Sequence, residues 1–151
     1  MAELKERLRA DLNAAMRARD QVRMRTLRLA LTSITNEEVA GASARDLTDD
    51  EVLRVLTREA RKRREAAEAF SAAGRSDQAA AERAEGDVLA GYLPAQLSDD
   101  ELAALVDAAI AETGASGPSG LGQVMKTVTP RIAGRADGAR VAAAVRRRLS
   151  G

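Results

Sequence analysis

The chain has 151 residues, 45% of them hydrophobic and 31% charged, with no Cys, no His and two aromatics, Phe70 and Tyr92. Without Cys or His there can be no disulfide, no zinc site of the usual Cys/His kind and no Ser-His-Asp or Cys-His nucleophile system, and any core must be built from Leu, Val, Ile, Met and Ala. The net charge of +1 says nothing about partners by itself, but its distribution does: residues 1–93 balance, 94–118 carry five acids and no base, and 119–151 carry seven bases and one acid.

The chain opens "MAELKERLRADL", charged from its third residue. It has neither the apolar run of a secretory signal nor any stretch approaching the ~18 apolar residues of a membrane span. The expectation is a cytoplasmic, soluble protein with no membrane partner.

Residues 3–18 place Leu4, Leu8, Leu12, Ala15 and Met16 on one stripe at helical spacing. Residues 21–38 carry two neighbouring stripes, Met24, Leu27, Leu31 and Ile34 beside Val22, Thr26 and Leu29. A helix apolar over so broad a face is expected to be central.

After the polar loop "GASARD", Thr48 and Glu51 have the spacing of a capping box, flanked by Leu47 and Val52 as a hydrophobic staple. The same device recurs at Ser98 and Glu101 with Leu97 and Leu102. Both mark helix starts. Their acidic triplets complement the helix dipole and need no metal, so neither a metal site nor a cofactor is expected. The helix from 49 should reach about Ala73 and stop at Gly74, and a fourth should run from Ser76 to Gly91.

The pattern breaks at "YLPAQLSDDEL". The residue before Pro94 is pushed away from helix and a new cap follows at Ser98, which sets a domain boundary between 93 and 94. A helix from 99 to 113 ends at Gly114. "GASGPSGLG" lacks the preceding strand and the Gly-Lys-Ser/Thr of a phosphate loop and reads as a connection. Next come a helix over 120–133, bent by Pro130 and capped by Gly134, and a last helix with Asp137 as N-cap. No period-2 segment is long enough for a strand. The fold class is therefore all-α: an N-terminal domain of about four helices (1–93), then a small three-helix tail (94–151).

Two basic constellations are candidates for phosphate contact. In the first, six basic residues fall between Arg54 and Arg64. Arg58, Arg61, Lys62 and Arg64 form a face there, but Glu65 and Glu68 lie four residues beyond Arg61 and Arg64, so a salt-bridged exposed face competes with nucleic-acid contact. The second is the tail. Val141, Val145 and Leu149 form the inward stripe of the last helix. Arg140 and Arg147 share an outer face, Arg146 lies on one flank, and Arg148 sits close to the stripe with its head able to reach water. The helix dipole accounts for cations at 146–148 without a ligand; it does not account for Lys126, Arg131, Arg135 and Arg140. A solvated terminus and a phosphate surface both remain open. With no aromatic in the region, an RNA would be held by backbone charge and shape.

"GLGQVMKTVTPRIAGRADGARVAAAVRRRL" resembles the tail domain of the B subunit of the glutamine-dependent aspartyl/glutamyl-tRNA amidotransferase, matching at Gln123, Val124, Met125, Lys126, Gly134, Ala136, Asp137 and Val141. Gly138 departs from it, standing where that tail often has Pro. The whole chain resembles the free-standing YqeY family through "TLRLAL", "KRREAAEAF", "YLPAQLS" and "GRADGARV". The resemblance implies a helical domain and a tail that hold tRNA, with Lys126, Arg131, Arg135, Arg140, Arg146 and Arg147 as contacts. It also implies a label of carbon–nitrogen ligase with glutamine as amido-N donor. The cradle and glutaminase that perform amide transfer have no counterpart in this sequence, so a non-catalytic, tRNA-binding accessory module is the expectation. The alternative is a protein-interaction module docking on an amidotransferase, an aminoacyl-tRNA synthetase or a second copy.

Overall fold

The computed structural model describes residues 2–150 and is helical throughout, with no strand among the described residues. The chain divides into two compact units, residues 1–93 and 94–151.

The first unit holds α1 (Glu3–Ala18), α2 (Gln21–Glu38), α3 (Asp49–Ala72) and α4 (Ser76–Ala90). Helix α1 buries Leu8 and Ala15. Met16, expected on the same stripe, is 46% exposed: it lies 100° round the helix from Ala15, off the side that packs. Helix α2 begins at Asp20, whose carboxylate accepts the backbone N–H of Arg23 at 3.2 Å. It packs against α1, α3 and α4 and buries Thr26, Leu27, Ala30 and Ile34. The expected second stripe fails at Leu29, which is 42% exposed. The buried arc is centred on Leu27, Ala30 and Ile34, and Leu29 lies about 130° round the helix from its middle.

Thr48 caps α3 by accepting the Glu51 N–H at 3.2 Å. The reciprocal half of the box is not made, because the Glu51 carboxylate takes Arg45 Nη1 at 2.6 Å instead. The staple residues Leu47 and Val52 are both buried. Helices α3 and α4 pack along each other as a hairpin that turns at Gly74, where φ is +75° and glycine is the residue of least strain. Leu8, Leu27, Ile34, Leu47, Val52, Val55, Leu56, Leu89 and Tyr92 form the core.

The second unit holds α5 (Asp99–Thr113), a single 3₁₀ turn (Pro118–Gly120), α6 (Leu121–Ile132) and α7 (Gly138–Ser150). Here the capping box is complete: Ser98 Oγ accepts the Glu101 N–H at 3.1 Å and the Glu101 carboxylate accepts the Ser98 N–H at 2.9 Å. Residues 94–97 belong to this unit rather than hanging free. The Leu97 N–H donates to the Arg135 carbonyl at 2.8 Å, Leu97 is buried, and Pro94 Cγ lies 3.8 Å from where a Cβ on Gly134 would stand. Helix α6 continues through Pro130 to Ile132. Its C-cap is Ala133 (φ 50°), one residue before the expected Gly134, which follows with φ +79°. Two successive left-handed residues are needed to bring Arg135 back over the helix end, where its N–H meets the Ile132 carbonyl at 3.0 Å, and glycine takes the second position, facing Pro94. Leu102, Val106, Val124, Val128, Ile132, Val141, Val145 and Leu149 form the second core.

Candidate nucleic-acid interface

Asp137 is buried and starts α7, its Oδ1 accepting the Arg140 N–H at 2.9 Å. That cap fixes the helix so that Val141, Ala144, Val145 and Leu149 face the core. Arg146 and Arg147 then fall on the two sides of the outward direction; both are exposed and, among the described residues, neither makes an ion pair. In α6 the buried residues are Val124, Val128 and Ile132. Lys126 lies on the opposite side, exposed and also without an ion pair among the described residues.

The other tail cations are engaged, three of them by α5. Arg140 Nη2 meets Asp99 Oδ1 at 2.9 Å, Arg148 Nε meets Asp107 Oδ1 at 3.1 Å, and Arg131 Nη1 forms an ion pair with Glu112. Arg135 folds back on the end of α6, donating to the carbonyls of Ile132 (3.3 Å) and Arg131 (3.1 Å). The acid block at 94–118 and the base block at 119–151 are thus packed together, and over residues 94–151 seven bases meet six acids. The hydrogen bonds from Ser98, with Arg135 adding a smaller attraction, hold the Glu101 carboxyl below its usual range.

The basic face of α3 is more fully occupied. Arg58 meets Glu37 at 3.4 Å, Arg61 meets Glu65 at 3.9 Å and Lys62 meets Glu59 at 3.3 Å, and Arg64 also has a partner. Arg63, which the sequence does not mark out from its neighbours, is the hub, lying 3.3 Å from Glu59, 3.6 Å from Glu82 and 3.7 Å from Glu85. Glu85 in turn takes Arg25 at 2.8 Å, and Glu59 accepts from Ser33 Oγ at 2.8 Å. This network joins α2, α3 and α4. Its readable traces in the sequence are the i, i+3 and i, i+4 spacings of Glu59 with Lys62 and Arg63.

Two further polar contacts escaped sequence reasoning. Lys5 Nζ donates to both carboxylate oxygens of Glu38, at 2.7 and 2.9 Å, in a buried pair across α1 and α2. The Lys5 hydrogen bond draws the Glu38 carboxyl below its ordinary range, outweighing the opposite effect of burial. Tyr92 donates its hydroxyl to Asp11, and the Arg7 guanidinium stands 4.7 Å over its ring. Burial, then Asp11, push the Tyr92 phenol up to about 12.

Among the described residues no group of three or more Asp/Glu side chains could hold a metal ion, and no helix is long and apolar enough to cross a membrane. The site is a set of cations on a helical scaffold, suited to holding an anion. The family model described as Yqey-like protein matches residues 5–149, nearly the whole chain, and the chain belongs to that family. No curated protein matches it.

Proposed function

We propose that this Yqey-like protein is a tRNA-binding accessory module whose tail holds the phosphate backbone. The observation that carries the reading is the trio Lys126, Arg146 and Arg147, exposed on α6 and α7 and without a carboxylate partner among the described residues, on a tail similar to one that holds tRNA in the amidotransferase. Arg131, Arg135 and Arg140 flank them and join by exchanging a carboxylate or carbonyl for phosphate. With no aromatic side chain in the tail, binding depends on charge and shape rather than base recognition. The module works without catalysing amide transfer itself, in the cytoplasm, beside an amidotransferase or an aminoacyl-tRNA synthetase.

Salt dependence separates the two sets of contacts. Each phosphate contact adds about 0.7–0.9 to the slope of log affinity against log salt. The trio alone should give a slope of about −2 to −2.7, and all six cations about −4 to −5.4. Titration of a tRNA transcript across a salt series reads the number directly. Unchanged affinity when Lys126, Arg146 and Arg147 are all reversed to Glu would overturn the reading. If that variant instead loses a protein complex, the tail is a protein dock.

A further inference from the structure

The basic run of α3 is the most conspicuous charge in residues 1–93, yet carboxylates hold Arg58, Arg61, Lys62 and Arg63 within it. A denser group of cations without an ion pair among the described residues lies elsewhere in this unit. Residues 12–36 carry Arg17, Arg19, Arg23, Arg25 and Arg28 against a single acid, Asp20. Glu85 takes Arg25 at 2.8 Å. The Asp20 carboxylate is occupied as the N-cap of α2. Among the described residues the side chains of Arg17, Arg19, Arg23 and Arg28 make no ion pair. Arg17, Arg19 and Arg28 are exposed, and Arg23 is half-buried.

The backbone gathers them. Helix α1 ends at Ala18 and α2 begins at Gln21, so Arg17, Arg19 and Arg23 surround one tight corner and Arg28 follows on the outward side of α2. Arg19 closes α1 in the left-handed conformation, φ 56°, at a position that glycine ordinarily fills; a long cation stands where the backbone favours no side chain. Beside it is a cleft of about 180 Å³ lined by Ala14, Ala15, Ala18, Asp11, Asp20 and Arg23. Its alanines let a chain backbone approach closely. Both of its carboxylates already accept hydrogen bonds, Asp11 from Tyr92 and Asp20 from the Arg23 N–H.

We propose that the α1–α2 corner is a second RNA-backbone site, with Arg17, Arg19, Arg23 and Arg28 on successive phosphates. This rests on the reading that the chain holds tRNA and adds a contact surface on the other unit. An RNA fits the corner better than an acidic protein. A protein interface centres on aromatic and Arg anchors packed in desolvated pockets, whereas among the described residues α1 and α2 carry no aromatic and expose only Met16 and Leu29 as large apolar side chains, with Val39 at the far end of α2. Phosphate binding needs only cations within reach.

The test uses the full chain and a fluorescein-labelled tRNA transcript, with anisotropy followed across a salt series. The triple variant R17A/R19A/R28A spares the half-buried Arg23 and should keep its helical circular dichroism. Its slope magnitude should fall by about 2–2.7, the share of three contacts. R17K/R19K/R28K, which keeps the charge, should retain the wild-type slope. A wild-type slope in the alanine variant, with a reduced slope in K126A/R146A/R147A, overturns the corner site and leaves the tail reading standing. No binding by the wild-type chain overturns both. Unchanged tRNA binding together with lost binding of poly-glutamate assigns the corner to an acidic protein and also overturns the proposal.

Discussion

Arg148 reaches back from the last turn of α7 to Asp107 in the middle of α5, Nε to Oδ1, at 3.1 Å. With Arg131–Glu112 and Arg140–Asp99, it makes α5 an acidic rail along the basic helices of the tail. A phosphate that uses these arginines must displace a carboxylate already in place.

Removing the rail should therefore strengthen polyanion binding. D99N/D107N/E112Q frees three guanidinium groups, and the salt slope for a tRNA transcript should steepen by about 2–2.7. Exposed pairs contribute only about 0–1 kcal/mol each, so the variant should unfold close to wild type in urea. A slope equal to wild type would mean either that Arg131 and Arg140 already exchange their carboxylates for phosphate in the wild-type chain or that none of the three arginines meets phosphate; R131A/R140A in the wild-type background, which lowers the slope only in the first case, separates the two.

The Lys5–Glu38 pair behaves differently because it is buried. K5M leaves a buried carboxylate without its lysine, at a cost of about 3–5 kcal/mol. The Glu38 carboxyl titrates lower in the folded chain than in the unfolded one. Its contribution is thus complete above the unfolded value, about 4.5, and is lost as pH falls through the folded one. Urea midpoints measured down to acidic pH should fall less steeply for E38Q than for wild type.

Tyr92 is the one tyrosine in the chain, so ultraviolet absorbance titrates it without interference. The folded protein should show a midpoint near 12, against 10 for the unfolded chain, and D11N should bring it down. Because the folded value is the higher one, the phenol's contribution is whole below pH 10 and is lost as pH rises from there towards 12. Y92F removes the hydroxyl's bond to Asp11 at a cost of about 1 kcal/mol.

Arg63 should matter more than its neighbours. R63A leaves Glu59, Glu82 and Glu85 facing one another around a vacated centre, and thermal unfolding should show a loss of about 2–4 kcal/mol, less than a fully buried pair would cost because Arg63 is partly exposed. R58A and R61A, whose pairs lie at the surface, should stay within about 0.5 kcal/mol of wild type.

Local patterns were legible because they act over a few residues. The Ser98–Glu101 box, the Leu47–Val52 and Leu97–Leu102 flanks, the Asp137 cap and the heptad-like runs of Leu, Val and Ile specify where helices start and which side they bury. A period of 3.6 residues is a property of the chain itself. So was the family resemblance, which rests on the same strings of residues. The stripes erred at Met16 and Leu29, where spacing marks an apolar residue but only a neighbouring helix decides whether it is covered. They erred also at Gly134, where the return of the chain over α6 set the cap one residue earlier.

Charge was the part that sequence could not settle. Along the chain, residues 119–151 look strongly basic and 58–64 look like a basic face. In the folded chain Asp99, Asp107 and Glu112 stand against the tail arginines, and Glu37, Glu59, Glu82 and Glu85 stand against the α3 cations. Ion pairing acts over about 4 Å of space whatever the separation in sequence. Sequence alone therefore determined the helices, their caps and the inventory of cations. Tertiary packing decided which cations kept a carboxylate and which, Lys126, Arg146 and Arg147 in the tail and Arg17, Arg19 and Arg28 at the first corner among them, stand exposed without an ion pair among the described residues.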